Sequence, residues 1–190
     1  VKGVKKRLEE MTLAELWQLF PIELVPSDPR WPDWYTDEHS ALASLLGDRV
    51  AHLHHIGSTS VPGLVAKPII DILAEINPDA DLDAVTQTLV EHGWLVMNRN
   101  ALCIDLNKGY TPDGFAERVF HLHIVPLGCR DAVDFRDWLI THPDTAAEYV
   151  ALKQSLVETF RYDRDAYTAA KYTFIRTITI QAQASRQDGL

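Results

Sequence analysis

Val50-Ala51-His52-Leu53-His54-His55-Ile56 leads into Gly57-Ser58-Thr59-Ser60-Val61-Pro62-Gly63-Leu64-Val65-Ala66-Lys67-Pro68, and that stretch into Ile69-Ile70-Asp71-Ile72-Leu73-Ala74-Glu75-Ile76. The outer two segments read as β-strands. They are short, mostly apolar or β-branched, and bounded by Gly57, Pro68 and Pro78. Residues 57–67 between them read as a loop or an abbreviated helix. Alternation along the second strand puts Asp71, Leu73 and Glu75 on one face. Asp71 sits between large apolar residues, where an unpaired carboxylate is costly. It therefore needs a partner: a metal, a cation, N–H donors or a structural salt bridge. Glu75 is about 13 Å further along by strand rise, too far to share a metal with Asp71, and reads as a strand-end surface residue.

A Gly-Ser turn offers closely approaching backbone N–H groups and a hydroxyl, a combination that holds phosphate oxygens. Asp71 follows Gly57 by 14 positions, and a carboxylate on the neighbouring strand can hold Mg²⁺ against those oxygens. Positioning plus charge neutralisation is what phosphoryl transfer requires. A tight turn beside a strand-edge aspartate is the plainer reading of the same residues.

Outward from this centre, Thr12 to Phe20 reads as a short helix, with Thr12 and Glu15 at capping-box spacing and Pro21 as its stop. Val25 to Pro32 is a Pro-punctuated loop, and a helix follows over 33–46, ended by Gly47. Downstream, Asp81 to His92 is a helix closed by Gly93. Trp94 to Met97, Leu102 to Leu106 and Val119 to Val125 read as strands. Lys108 to Glu117 holds Gly109, Pro112 and Gly114 and reads as a loop. After Pro126 the pattern is helical over Asp131–Ile140, Pro143–Phe160 and Arg164–Ala184. The expected architecture is α+β: a mixed sheet flanked by helices, with a helical C-terminal third. One domain is expected over 21–190, preceded by a lead-in and short helix over 1–20.

Five of the eight histidines fall in two strands: His52, His54, His55, His121 and His123. His121 and His123 project to one face, a spacing that supplies two ligands to a divalent metal. Satisfied structural histidines are the alternative. In the helical third, Tyr149 with Lys153 and Tyr167 with Lys171 are i,i+4 pairs. Each offers stacking surface and phosphate charge, or simply covers apolar surface with a wet tip. Lys67, Lys108, Tyr110 and Arg118 flank the two site strands and form a candidate basic pocket. Phe135, Trp138 and Leu139 read as core.

The chain has 190 residues, 46% hydrophobic and 24% charged, which excludes a disordered or disulfide-scaffold class. With 18 basic and 27 acidic residues the formal charge is −9, so no duplex nucleic-acid partner is expected. Cys103 and Cys129, the two cysteines, lack zinc-ligand spacing, and a reduced, cytoplasmic setting is the expectation. No run approaches the roughly 18 apolar residues that span a bilayer, so no membrane partner is expected. The basic start, Val1 to Arg7, develops no apolar run, and a signal peptide is not expected. There is no dinucleotide fingerprint, Walker A loop or His-Glu-x-x-His, and Ser58 and Ser60 lack a nucleophile-elbow frame.

His55-Ile56-Gly57-Ser58-Thr59-Ser60-Val61-Pro62-Gly63-Leu64 followed by Ala66-Lys67-Pro68-Ile69-Ile70-Asp71-Ile72 resembles the hallmark of the GrpB family. Lys108-Gly109-Tyr110-Thr111-Pro112 through Phe120-His121-Leu122-His123 agrees with it. So do Phe135-Arg136-Asp137-Trp138-Leu139 with His142-Pro143, and Tyr149, Lys153, Tyr167 and Lys171. The similarity runs from about Ile22 to Ala182. The resemblance implies a minimal nucleotidyltransferase-like fold of the polymerase-β type. There a Gly-Ser turn follows one strand, an Asp-x-Asp/Glu pair sits on the next, and a third carboxylate comes from a later strand. Gly57-Ser58 and Asp71 match. Leu73 stands where the second carboxylate belongs, and His121 and His123 occupy the later strand.

Residues and resemblance together give three readings. The first is a nucleotidyltransferase-like protein that binds a nucleotide or phosphorylated small molecule with a divalent metal, Mg²⁺ first, Zn²⁺ or Mn²⁺ as alternatives. Ser58, Asp71 and His123 would be catalytic. Gly57, Ser58, Lys67, Lys108, Arg118, Tyr149, Lys153, Tyr167 and Lys171 would contact phosphate or nucleotide, and Asp71, His121 and His123 the metal. The second is a non-catalytic nucleotide- or metabolite-binding accessory module, a role that family members fused to a coenzyme A biosynthetic kinase would fit. The third is a His/Asp metal-dependent phosphoesterase.

Overall fold

The computed structural model describes residues 6–188, so 1–5 of the basic start lie outside the described residues. In chain order the elements are α1 (Leu13–Leu19), α2 (Trp31–Leu46), β1 (Val50–Ile56), β2 (Ile70–Ile76), α3 (Leu82–Glu91), β3 (Leu95–Arg99), β4 (Ile104–Thr111), β5 (Gly114–Pro126), α4 (Asp131–Thr141), α5 (Pro143–Phe160) and α6 (Arg164–Asp188). The strands form one mixed sheet in the order β1-β2-β5-β4-β3. Only the central β2–β5 pair is parallel. The capping box of α1 is present, with Thr12 N–H donating to Glu15 at 2.8 Å. Helix α2 starts two residues earlier than expected because Pro32 sits in its first turn, where a missing N–H costs nothing.

Strand alternation sorts the sheet into two unlike faces. Ile70, Ile72, Ala74 and Ile76 of β2 join Ile104 and Leu106 of β4 and Phe120, Leu122 and Ile124 of β5 under Trp34, Leu42 and Leu46 of α2 and Val85 and Leu89 of α3. Each such buried Ile or Leu contributes roughly 1.5–3 kcal/mol. The residues between them, Asp71, Leu73, Asp105, His121 and His123, belong to the opposite face, where Leu73 packs on Ile56 and Val133 of α4. Helices α4, α5 and α6 close over this second face through Val61, Leu64, Phe135, Leu139, Ala146, Tyr149 and Ile178.

Two expectations are corrected. Residues 108–117 are not a loop: β4 continues to Thr111 and β5 begins at Gly114, so most of the stretch is a hairpin. Gly109 is there for a steric reason. It has φ +91° at an irregularity in the β4–β5 register, and a Cβ on it would collide with the Arg118 carbonyl and lie 3.1 Å from Val119 Cα. Glu75 is not a surface residue. It is 1% exposed, its carboxylate accepting from His54 Nε2 at 2.8 Å and from Gly128 N–H at 2.8 Å. No helix among the described residues is long and apolar enough to cross a membrane.

Candidate functional site

The turn after β1 is built to touch β2. Gly57 has φ +70° and ψ −171°, a region essentially reserved for glycine. A Cβ there would overlap Asp71 Oδ2 and lie 3.1 Å from the Asp71 Cβ and Cγ. Thr59, buried, donates to the Ile69 carbonyl at 3.2 Å and meets His55 Nε2 at 3.0 Å, which ties the turn to both strands. His55 itself stacks on Tyr35 at 4.7 Å, and burial lowers its pKa to about 4. It is a neutral support of the turn on the α2 side.

Sheet order brings the remaining groups to Asp71. Parallel pairing sets Asp71 opposite His121 and Leu73 opposite His123, while antiparallel pairing sets Asp105 opposite His123. His121 Nδ1 lies 3.0 Å from Asp71 Oδ1, and His123 Nε2 lies 4.0 Å from the same oxygen. Each imidazole is oriented by its other nitrogen. His121 Nε2 meets the Tyr110 hydroxyl at 2.8 Å, and His123 Nδ1 meets Asp105 Oδ1 at 2.7 Å. This is how metal-ligating histidines are held in place. One ligand atom from each of Asp71, His121 and His123 lies within 4.8 Å of the others, close enough for one divalent cation.

The electrostatics follow from this packing. Burial alone would raise Asp71, but the two imidazoles outweigh it and hold the carboxyl far below its ordinary range. Burial lowers His121, with Asp71 only partly opposing it. Burial also opposes charge on His123, yet the Asp105 and Asp71 carboxylates together raise it well above the usual histidine value. Leu73, 4% exposed, puts a buried apolar side chain two residues along from Asp71 on the same face of β2.

On the helix side four cations gather. Lys153 is 2% exposed and donates to Ser58 Oγ at 3.0 Å and to the Val65 carbonyl. Its ammonium lies 4.9 Å from the Tyr149 ring centroid. Lys171 and Lys67 lie 4.4 Å and 5.8 Å from the Tyr167 ring centroid. Arg164 covers Tyr110 at 5.5 Å. Burial, then mutual repulsion, lowers Lys67 and Lys153 to about 7. Burial likewise lowers Lys171 to about 8, with Asp71 opposing. Among the described residues none of the four has a carboxylate at salt-bridge distance, although other lysines and arginines of the chain do. The buried hydroxyl of Tyr167, whose ring lies against two of these ammonium groups, has no hydrogen-bond partner among the described residues. An anion would supply what all of them lack.

Gly57, Ser58, Lys67, Asp71, His121, His123, Tyr149, Lys153, Tyr167 and Lys171 thus come together. Lys108 and Arg118 do not. Lys108 shares the parity of Ile104 and Leu106, faces α2 and pairs with Glu38 at 2.7 Å, while Arg118 pairs with Asp37 at 2.8 Å. Their expected place in a phosphate pocket is corrected accordingly. Sequence reasoning did not single out Asp105 and Arg164. Asp105 carried a signal, being the polar residue between Ile104 and Leu106. Arg164 carried another, lying three and seven positions before Tyr167 and Lys171 on one helix face.

Comparison with known proteins identifies the family and the fold. The family model described as GrpB protein matches residues 21–181. The chain belongs to the GrpB family. A UPF0157 protein of Pseudomonas aeruginosa is 38% identical over 167 residues, covering 86% of this chain and 69% of its own length. A UPF0157 protein of Halalkalibacterium halodurans is 32% identical over 191 residues, covering 95% and 92%. The crystal structure of the conserved protein GrpB from Enterococcus faecalis superposes with a TM-score of 0.75 at 27% identity, over 87% of this chain and 99% of that one. The fold described above is therefore shared with a solved member of the family.

Proposed function

We propose that this GrpB chain is a nucleotidyltransferase-like protein that binds the phosphates of a nucleotide or phosphorylated small molecule together with one divalent cation. The observation that carries the reading is the convergence of four cations, none with a carboxylate at salt-bridge distance among the described residues, on a carboxylate flanked by two oriented imidazoles. Asp71, His121 and His123 hold the cation. Two nitrogen donors suit Mn²⁺ or Zn²⁺ better than the oxygen-preferring Mg²⁺. When bound, the cation neutralises phosphate oxygens and polarises the phosphorus centre. The Gly57–Ser58 turn approaches phosphate through backbone N–H and hydroxyl. Lys67, Lys153, Lys171 and Arg164 balance the charge that develops on the leaving group. Asp105 holds the His123 ring through Nδ1, so that Nε2 faces Asp71 and the cation. Leu73 favours a second reading, the same ligand held without turnover.

Calorimetry of pyrophosphate and nucleoside triphosphates with Mn²⁺, run beside a pyrophosphate-release assay, tests both readings. Lys153→Met should weaken pyrophosphate binding about tenfold or more, the worth of one charged hydrogen bond. Affinity untouched by this change and by Mn²⁺ sinks the proposal, while binding without turnover selects the accessory module.

The pH dependence has a sign for each partner. Bound phosphate favours charged lysines, so pyrophosphate affinity should fall as pH rises through about 7 to 8. Cation affinity should rise with pH, since His123 must give up its proton to ligate. In the free protein the depressed lysines bind fewer protons folded than unfolded, so stability should increase above about pH 7. Parallel titrations of pyrophosphate and Mn²⁺ across this range should give slopes of opposite sign.

A further inference from the structure

His123 has a second side. Its Nε2 faces Asp71, but its Nδ1 faces Asp105, and beyond Asp105 lies Cys103. The backbone there is fixed. Asn100 Oδ1 accepts from the N–H groups of Leu102 at 2.8 Å and Cys103 at 3.0 Å, and Asn100 N–H closes the turn on the Cys103 carbonyl at 3.0 Å. Strand alternation then places Cys103 and Asp105 on the same face of the sheet as His123. Asp105 Oδ1 accepts from the Cys103 thiol at 3.1 Å and lies 2.7 Å from His123 Nδ1. Its other oxygen accepts from Asn98 Nδ2 at 3.3 Å, which leaves Oδ1 aimed at the sulfur and the imidazole. A ligand atom from each of the three residues lies within 4.8 Å of the other two. The group is open to solvent, with the His123 and Asp105 side chains 33% and 31% exposed.

We propose that Cys103 Sγ, Asp105 Oδ1 and His123 Nδ1 form a second cation site, which shares only His123 with the Asp71 group and uses its other nitrogen, for Zn²⁺ or a similar thiophilic divalent ion. One sulfur, one imidazole nitrogen and one carboxylate oxygen form a zinc donor set, and sulfur disfavours Mg²⁺ and Ca²⁺. Metal–ligand lengths of about 2.0–2.3 Å put tetrahedral neighbours some 3.3–3.7 Å apart, so the hydrogen-bonded pairs, now at 2.7 and 3.1 Å, need open by about half an ångström. Charge balances: thiolate and carboxylate offset a divalent ion while the imidazole stays neutral. Binding displaces the thiol proton and the proton between Asp105 and His123, and three protein ligands leave a fourth position to water. The Asn98 contact then serves as the outer hydrogen bond that fixes the carboxylate. Occupancy here also sets the charge of the histidine that Asp71 sees.

Cobalt substitution of the full chain tests this apart from the proposed function. Metal-free wild type titrated with Co²⁺ should develop a thiolate-to-cobalt charge-transfer absorption saturating at one equivalent. Cys129→Ser should keep it, and so should Asp71→Asn, which disables the other group. Cys103→Ser should lose it. Asp105→Asn, with the thiol still present, should weaken Zn²⁺ binding about tenfold or more by competition with a chelating dye. The proposal is overturned if saturating Co²⁺ gives wild type no thiolate band, if the band survives Cys103→Ser, or if it disappears with Asp71→Asn.

Discussion

Asp71→Asn should lower Mn²⁺ affinity by about 100-fold or more while the protein stays folded. The amide keeps the shape of the side chain and loses the charge that a divalent cation requires. Mn²⁺ is the informative probe because, unlike Zn²⁺, it has little affinity for the Cys103 thiolate. The folded state has the means to survive. Asp71 is 27% exposed, and the amide oxygen can still accept the bond that the carboxylate takes from His121 Nδ1 at 3.0 Å. Replacing a charge-assisted bond by a neutral one costs about 1–2 kcal/mol. His123 should also lose part of its raised pKa, since Asp71 is one of the two carboxylates that sustain it. Thermal unfolding with and without Mn²⁺ reads the outcome. At 100 times the dissociation constant, bound cation adds about 2.7 kcal/mol to the wild type, and the variant should gain no more than about 0.4 kcal/mol. A wild type indifferent to Mn²⁺, paired with a variant weakened by about 3–5 kcal/mol, would instead make Asp71 one end of a structural ion pair.

What was legible in the sequence depended on range. The strand–turn–strand unit at 50–76 is local, and alternation sorts its residues by face. Alternation does not say which strand lies alongside. Glu75 looked like a strand-end surface group because its partners, His54 and Gly128, are 21 and 53 positions away and meet it only once the sheet order is set. The role of Asp105 is hidden for the same reason, since its link to His123 crosses from β4 to β5. Cys103 lacks any zinc-ligand spacing along the chain, because its third partner lies on another strand. The hairpin at 108–117 was hidden by its own devices: Gly109, Pro112 and Gly114 are loop residues by composition but serve an irregular register and a tight turn. Proximity in sequence points Lys108 and Arg118 toward the pocket, whereas parity and the acidic side of α2 take them to the opposite face.

Gly57→Ala should be the more damaging change, although it removes no functional group. Two costs fall on one atom. At φ +70° and ψ −171° an L-residue is strained by about 1–3 kcal/mol before any contact is considered. The new methyl also meets Asp71 Oδ2, with the Asp71 Cβ and Cγ at 3.1 Å, so either the turn lifts away or the carboxylate rotates. The turn resists, because Ser60 Oγ donates to the Gly57 carbonyl at 2.6 Å and Thr59 is buried between the strands. Rotation of Asp71 breaks its contact with His121. The expected loss of stability is about 2–4 kcal/mol, read by denaturant unfolding. Mn²⁺ affinity should fall with it, even though all three ligand residues are intact. The double variant Gly57→Ala/Asp71→Asn separates strain from ligation. If the turn acts on the cation only by displacing Asp71, adding Gly57→Ala to Asp71→Asn should cost no further Mn²⁺ affinity. The stability cost of the smaller strain should remain, because backbone conformation is independent of the carboxylate. Wild-type stability and wild-type Mn²⁺ affinity in Gly57→Ala would show that the close approach of turn to carboxylate does not hold the site.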